Sequence, residues 1–313
     1  MSRIPIFLAV LAAVAGTTCG NPSQAGDDHG GVVAYCYQPM IAGVKQIWVV
    51  NADGTGNQRL VNSSLELNHH DFSPDGTRLA LVSYPTDTTQ SIYVVNTDGS
   101  NLTRITAAPG VVDTDPAWSP DGTRIAFTRV QPAPSQREEI WMMNADGSDQ
   151  RFIGILGMAP EWSPSGARLI YSTLVSGNYD IYTANPNGAD ERRLTSTPAS
   201  ERFPAWSPDG TRIAFASVAS GTGNTAGDQP YWDLYVMNAD GSDVERLTDN
   251  TAFDAYPKWS PDGSRISFES DRHQAGKFEV YVMNANGSDV RRLTTSPSGV
   301  TAINPVWRPG AHQ

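Results

Sequence analysis

The chain is poor in cysteine, lysine and charge. Of its 313 residues only Cys19 and Cys36 are cysteine. Two are too few for a disulfide framework, and their spacing is not that of a Cys-x-x-Cys metal or redox pair. One bridge between them stays open, although Cys36 lies in the apolar run Val32-Val33-Ala34-Tyr35-Cys36-Tyr37, where a buried thiol acts as a small hydrophobe. Lysine supplies only Lys45, Lys258 and Lys277 among 22 basic residues, and 33 acids leave a net charge of −11. Phosphate recognition needs clustered Lys and Arg, so this balance excludes a nucleic-acid partner. Charged residues make up 18% of the chain, below the usual ~25%. That is too few for a coiled coil, and 8 Trp, 11 Tyr and 9 Phe are too many for a disordered chain. The one long apolar run, Ile4 to Ala15, is shorter than the ~20 residues a membrane helix needs.

That run follows Met1-Ser2-Arg3 and precedes small residues, which is the pattern of a secretory signal over residues 1–18. Ala13-Val14-Ala15 fits a small-x-small cleavage site. Alternatively, Cys19 and the polar stretch after it match a lipoprotein acylated at that cysteine, although Gly16 and Thr18 stand where a lipobox carries Leu and Gly or Ala. The expected product is therefore periplasmic or secreted, either soluble or anchored through a lipid on Cys19, with no membrane-spanning segment in the mature chain. Residues 19–30 are polar and Gly-rich, and read as a flexible tether.

What the chain has in abundance is turns. Twenty-eight Gly and 22 Pro punctuate it, and they recur in register. Ser-Pro-Asp-Gly stands at 73–76, 119–122, 207–210 and 260–263, with Ser163-Pro164-Ser165-Gly166 as an altered copy. Asn-x-Asp-Gly or Asn-x-Asn-Gly begins at Asn51, Asn96, Asn144, Asn185, Asn238 and Asn284. Arg-Leu-Thr or a close variant follows each, decayed to Arg151-Phe152-Ile153 in the third. The aromatic anchors Phe72, Trp118, Trp162, Trp206, Trp259 and Trp307 lie 44 to 53 residues apart. A repeat near 45 residues that reads as four short strands is a propeller blade. The longest spacing comes from a polar insertion, Ser217 to Tyr231.

Proline locates the blade's inner edge. It stands two before the anchor at 116, 160, 204, 257 and 305, with His70 in that place before Phe72. Proline cannot donate to a sheet ladder, so it belongs on an edge strand, which in a propeller lines the central channel. The first unit, from Gly31, lacks this strand, whereas the last, around Asn304 to Gly310, contains little else. The prediction is an all-β protein over residues 31–310: a six-bladed β-propeller of four-stranded blades, closed by the C-terminal strand completing the first blade. A monomer is expected.

Ser-Pro-Asp-Gly, Ile-Ala-Phe, Tyr-Val-Met-Asn-Ala-Asp-Gly-Ser and Arg-Leu-Thr, as at 207–215 and 235–248, resemble the WD40-like repeat of TolB-type propellers. The resemblance covers Gly31 to Gly310 but includes no counterpart of that family's N-terminal α/β domain. It implies an envelope protein that binds another protein or peptide, and a lipoprotein partner received near the channel opening.

The residues of that opening can be named. Three before the proline stand Asp113, Glu201 and Asp254; one before it stand His69, Asp115, Phe203, Tyr256 and Asn304, with Ala159 in the remaining copy. Equivalent positions in a ring converge. This predicts a mouth of carboxylates and aromatics suited to a basic, partly apolar peptide or to a cation such as calcium. The plainer alternative is that these acids solvate a rim or cap turns. No cofactor is expected. Nucleophile elbows, zinc-protease motifs and Walker loops are absent, and the Asn-x-Asp-Gly stretches have their Gly too early for a calcium loop. A metal site is not expected either, since the adjacent His69 and His70 point to opposite faces of a strand. The rival function is a carbohydrate lyase or hydrolase using the mouth carboxylates with His69 or His70.

Overall fold

Each Ser-Pro-Asp-Gly segment closes on itself. At 119–124 the Ser119 amide donates to the Arg124 carbonyl (2.9 Å), Gly122 donates to the Ser119 carbonyl (2.8 Å), and the Ser119 hydroxyl donates to Asp121 (2.6 Å). Asp121 also accepts the Thr123 amide at 3.0 Å, and Gly122 takes φ +69°. These donors, the Ser119 hydroxyl first, pull the Asp121 carboxyl down to about 2, so the turn keeps its negative charge at any physiological pH. The Asn-x-Asp-Gly segments are turns of the same economy: Asp146 accepts the amide (2.9 Å) and hydroxyl (2.6 Å) of Ser148.

The computed structural model describes residues 31–40, 44–61, 63–84, 89–175, 177–218 and 231–310. The signal segment, Cys19 and most of the 217–231 insertion lie outside the described residues. The turns connect strands of six antiparallel four-stranded sheets. The first holds β1 (Val32–Pro39), β2 (Gln46–Asn51) and β3 (Gln58–Arg59). The second is β4 (Glu66–Phe72), β5 (Arg78–Tyr84), β6 (Ser91–Asn96) and β7 (Thr103–Arg104). The third is β8 (Val112–Trp118), β9 (Arg124–Val130), β10 (Glu138–Asn144) and β11 (Arg151–Leu156). The fourth is β12 (Met158–Trp162), β13 (Leu169–Val175), β14 (Asn178–Ala184) and β15 (Arg192–Arg193). The fifth is β16 (Glu201–Trp206), β17 (Arg212–Val218), β18 (Trp232–Asn238) and β19 (Glu245–Arg246). The sixth is β20 (Asp254–Trp259), β21 (Arg265–Ser270), β22 (Glu279–Asn284) and β23 (Arg291–Arg292). Finally β24 (Val300–Trp307) pairs with β1 and completes the first sheet in the order β24-β1-β2-β3. The all-β, six-bladed, circularly closed prediction holds, and every proline strand is the innermost of its sheet.

The third repeat motif fastens blades internally. Thr106, Thr195, Thr248 and Thr294 each accept the amide of the second residue of the neighbouring third strand or its equivalent: Ile92, Ile181, Leu234 and Val280, at 2.9–3.0 Å. The motif arginine reaches the residue just before: Arg104 to Ser91 (2.8 Å), Arg193 to Asp180 (2.9 Å), Arg246 to Asp233 (2.6 Å). In the decayed third copy, Ile153 and Ile155 are buried instead, and β11 runs six residues where the other outer strands run two. Seams between blades are closed by the anchors. Phe72, Trp118, Trp162, Trp259 and Trp307 are buried, and Arg78, Arg124 and Arg212 lie over the rings of Trp118, Trp162 and Trp259 in the following blade at 4.6–4.8 Å.

Deleting residues 302–313 should open the β1 edge from Val33 to Tyr37, which pairs with β24. We expect thermal unfolding to shift down by more than about 10 °C, or to lose cooperativity. An unchanged melting temperature would refute closure by the last strand.

Candidate functional site at the channel mouth

The residue before each channel proline, or before His70 in the second blade, has a left-handed backbone: His69 (φ 29°), Asp115 (49°), Ala159 (52°), Phe203 (56°), Tyr256 (54°) and Asn304 (53°). Each sits at a register break in the pairing of its inner strand. The right-handed helical region is closed to a residue before proline, and this break takes the left-handed one instead. His, Asp and Asn tolerate that conformation; Phe and Tyr do so at a cost of about 1–3 kcal/mol each. The bulge swings these side chains into the channel, where they line a cavity of about 290 Å³.

This division separates the eight predicted residues. His69, Asp115, Phe203, Tyr256 and Asn304 line the cavity, whereas Asp113, Glu201 and Asp254 do not. On a regular strand, residues two apart share a face; the bulge breaks that alternation, and the second set stays within the sheets. Asp113 is buried in a two-point contact with Arg129 (2.6 and 2.9 Å). Glu201 is buried against the Thr197 hydroxyl. Asp254 is buried against Arg272 and Asn250, both at 2.8 Å. The expectation that these three acids share the mouth is thereby corrected.

Inside the cavity, His69 Nδ1 meets Asp115 Oδ1 at 2.5 Å. Burial pulls the His69 pKa down, but the Asp115 charge and hydrogen bond outweigh it and raise it overall. Burial works against Asp115 ionisation, and His69 overcomes that, holding the carboxyl below its usual range. The pair is thus an imidazolium–carboxylate. Beside it, Phe203 and Tyr256 stack at 3.8 Å between ring centroids with a 22° interplanar angle, and the edge of His69 meets Tyr256 at 6.2 Å. Burial, then the Glu269 and Asp115 charges, keep the Tyr256 phenol protonated.

A second ring, unforeseen from the sequence, lies between each proline position and its anchor: Asp71, Glu161 and Lys258, with Ala117 and Val306 also on the cavity wall. Its signal was available, since three of six copies carry a charge where the others carry Ala or Val. Asp71 accepts the Trp118 amide (2.8 Å) and Glu161 the Trp206 amide (2.9 Å), each across a seam. Lys258 reaches over the intervening blade to Glu161. Burial works against the Lys258 charge, but Glu161 and Asp71 outweigh it and keep the ammonium charged. Burial lifts Asp71 to about 6 and lowers His70 to about 4, leaving His70 neutral. Glu269, on β21, accepts the Asn304 amide (2.8 Å) and so holds one of the left-handed residues; burial raises it to about 7. Among the described residues no three His, Cys, Asp or Glu are grouped to hold a metal.

The cavity extends from the left-handed ring toward the Ser-Pro-Asp-Gly turns: its wall continues through the aromatic anchors to Pro74, Ser119 and Pro120, and no inner-strand residue ahead of the ring lines it. Met40, Val44, Leu156, Leu174 and Tyr231 are exposed, and pairing and loop contacts place all five at the end where the inner strands begin. The other end, toward which the cavity extends, carries the Ser-Pro-Asp-Gly and Asn-x-Asp-Gly turns with their ionised aspartates.

A six-bladed propeller with a cavity along its axis is the class these features define. The chain belongs to the TolB beta propeller domain family, whose model matches residues 28–158, 152–226 and 222–313. A curated relative, "Protein TolB homolog" from Chlorobium luteolum, is 40% identical over 172 residues; the match covers 55% of this chain and 37% of that protein. The chain therefore spans little over a third of that relative. Among solved structures, TolB from Acinetobacter baumannii superposes with a TM-score of 0.76 at 20% identity, covering 90% of this chain and 68% of that one. A putative TolB from Agrobacterium tumefaciens gives 0.65 at 22% identity, covering 84% and 89%.

Glu269 makes the site sensitive to pH. Its folded pKa of about 7 exceeds the ordinary 4.5, so its contribution to stability is complete below about 4.5 and is lost as pH rises through 7. Glu269→Gln, whose amide oxygen still accepts the Asn304 amide, should gain on the wild type by up to about 3 kcal/mol between pH 4.5 and 8. Parallel stability curves in urea melts over that interval would contradict the assignment.

Proposed function

We propose that this protein is an exported, non-catalytic propeller of the bacterial cell envelope that binds a protein or peptide at the channel mouth. The observation that carries the reading is the stacked Phe203–Tyr256 pair, held in a costly backbone conformation beside Asp115 on the wall of the cavity. Backbone strain maintained by the surrounding fold is a mark of functional sites. Aromatic faces next to carboxylates suit a Lys- or Arg-bearing segment, through cation–π contact and charge. TolB-family membership supports an envelope role, and no described helix is long and apolar enough to cross a membrane. Export rests on residues 1–18, and anchoring on acylation of Cys19; the mass of the native N-terminus tests both.

The alternative enzyme reading rests on His69, which a carboxylate orients within the cavity. His69 carries its proton in that pair, so it is suited to donate a proton rather than to abstract one.

The test uses a partner captured from envelope extract with the full chain and then purified. Phe203→Ala/Tyr256→Ala should weaken its affinity at least about tenfold, as loss of aromatic anchors does. Asp115→Asn should slow association and flatten its salt dependence, and Asp146→Asn, in an outer turn that does not line the cavity, should change nothing. Wild-type binding by the mouth variants would overturn the site. Turnover of a polysaccharide library that His69→Ala abolishes would instead establish the enzyme.

A further inference from the structure

Five of the six blades guard their outer edge with an arginine. The aromatic on the third strand from the channel pairs across the sheet with it, as Trp48 does with Arg59 and Tyr235 with Arg246. Four of these arginines fold back so that Nε donates to the carbonyl two residues on, at 2.7–3.0 Å. The charged head thus lies beside the strand and occupies one of its acceptors. Charge on an edge strand discourages pairing with a further strand. Each of these five outer strands is only two residues long.

The third blade departs from this pattern. There Trp141 pairs with Phe152. Phe152 stands eight residues after the turn asparagine Asn144, as Arg59 does after Asn51 and Arg104 after Asn96. In structural register the third copy of the motif is therefore Phe152-Ile153-Gly154, with phenylalanine for the guarding arginine and glycine for the threonine that caps the third strand. Without that cap Ile140 pairs with Ile155, and β11 continues to Leu156, six residues in all. Phe152 is 42% exposed and Leu156 49%. A row of rings, Phe127, Trp141 and Phe152, at 6.5 and 6.4 Å between centroids, runs outward through the sheet and stops at the edge. Among the described residues no hydrogen bond reaches the outer side of β11.

We propose that β11 pairs antiparallel with β11 of a second copy of this chain, joining the third blades of both copies into one continuous sheet. The edge is self-complementary, which an isologous contact requires. Gly154 has no partner on β10, takes φ +90°, and has open space where a Cβ would stand, so another backbone can approach it closely. About this glycine the apolar residues are symmetric, with Phe152 and Ile153 before it and Ile155 and Leu156 after. A two-fold axis at Gly154 sets Phe152 of one copy against Leu156 of the other. Charge agrees: Arg151 opens the strand and Glu139 is the register partner of Leu156, so antiparallel pairing carries each Arg151 to the Glu139 end of the other copy. Pairing over so short an edge buries less than the ~1,200 Å² of stable complexes, and the dimer forms only at high concentration. The monomer expected from the sequence is then the dilute form.

Sedimentation equilibrium of the full chain needs no binding partner, so it stands or falls apart from the channel-mouth reading. Apparent mass should rise from one copy at ~1 μM toward two at ~500 μM, and amide exchange at residues 152–156 should slow over the same range. Phe152→Arg, which restores the residue of the other five blades, and Leu156→Lys should each remove the rise. Both side chains are exposed, so the melting temperature should change little. Val244→Lys, at a comparably exposed apolar residue of the fifth blade, should associate like the wild type. Three results would overturn the proposal: a wild type that stays monomeric throughout, Phe152→Arg and Leu156→Lys variants that still dimerise, or a rise that Val244→Lys also abolishes.

Discussion

Where the inner strand of each blade reaches its proline, or His70 in the second blade, regular pairing stops. The proline offers no amide to the ladder, and the residue before it turns left-handed. Placing this break on the edge facing the channel costs no ladder bond that an edge strand would otherwise make, because nothing lies beyond it to accept one. Repeated six times, the break gives the channel a ring of side chains that the sheet pleat would have turned elsewhere. Neighbouring blades then support the ring: Thr128 takes the Ala159 amide (3.0 Å), and Glu269 takes that of Asn304. The mouth is thus a by-product of the same geometry that builds the blades, and its chemistry varies freely because the backbone, not the side chain, makes the bulge.

Seams carry the cohesion of the ring. The hydrogen-bonded sheets are separate, and among the described residues the strand pairing that joins two blades is a single isolated bridge between Trp232 and Phe253. Packing of the anchors substitutes for a ladder, helped by arginine stacking and by acids that accept amides across the gap, as Asp71 and Glu161 do. Losing one buried Trp would cost about 3–5 kcal/mol, a large part of the stability of any domain. The same seams bury charge, as Asp71 and Glu161 show.

The architecture was legible because it is written six times. Turn chemistry, strand alternation and the missing and spare strands at the two ends are local or arithmetic signals, and each fits its neighbours. The site was legible only in part. The residues one before the proline were found as a ring, but Asp113, Glu201 and Asp254 were placed beside them by counting along a regular strand. A left-handed bulge invalidates that counting, and an Asp or Tyr before Pro does not announce one. Glu269 was missed for another reason. It enters the site from the second strand of a neighbouring blade, and only three-dimensional proximity connects it to Asn304 and His69.

The two ends of the channel differ enough for a single footprint to decide what the molecule presents to a partner. One end carries exposed apolar side chains; the other carries aspartates locked in the ionised state by their own turns, and the cavity with the aromatic pair and the His69–Asp115 ion pair extends toward it. Amide hydrogen exchange of the full chain with and without its captured partner reads this directly. The account predicts slowed exchange at residues 69–72, 115–119, 203–206 and 256–259, which line the cavity, with the segments around Met40 and Leu174 unchanged. Protection concentrated around Met40 and Leu174, with the cavity segments exchanging as in the free protein, would contradict it.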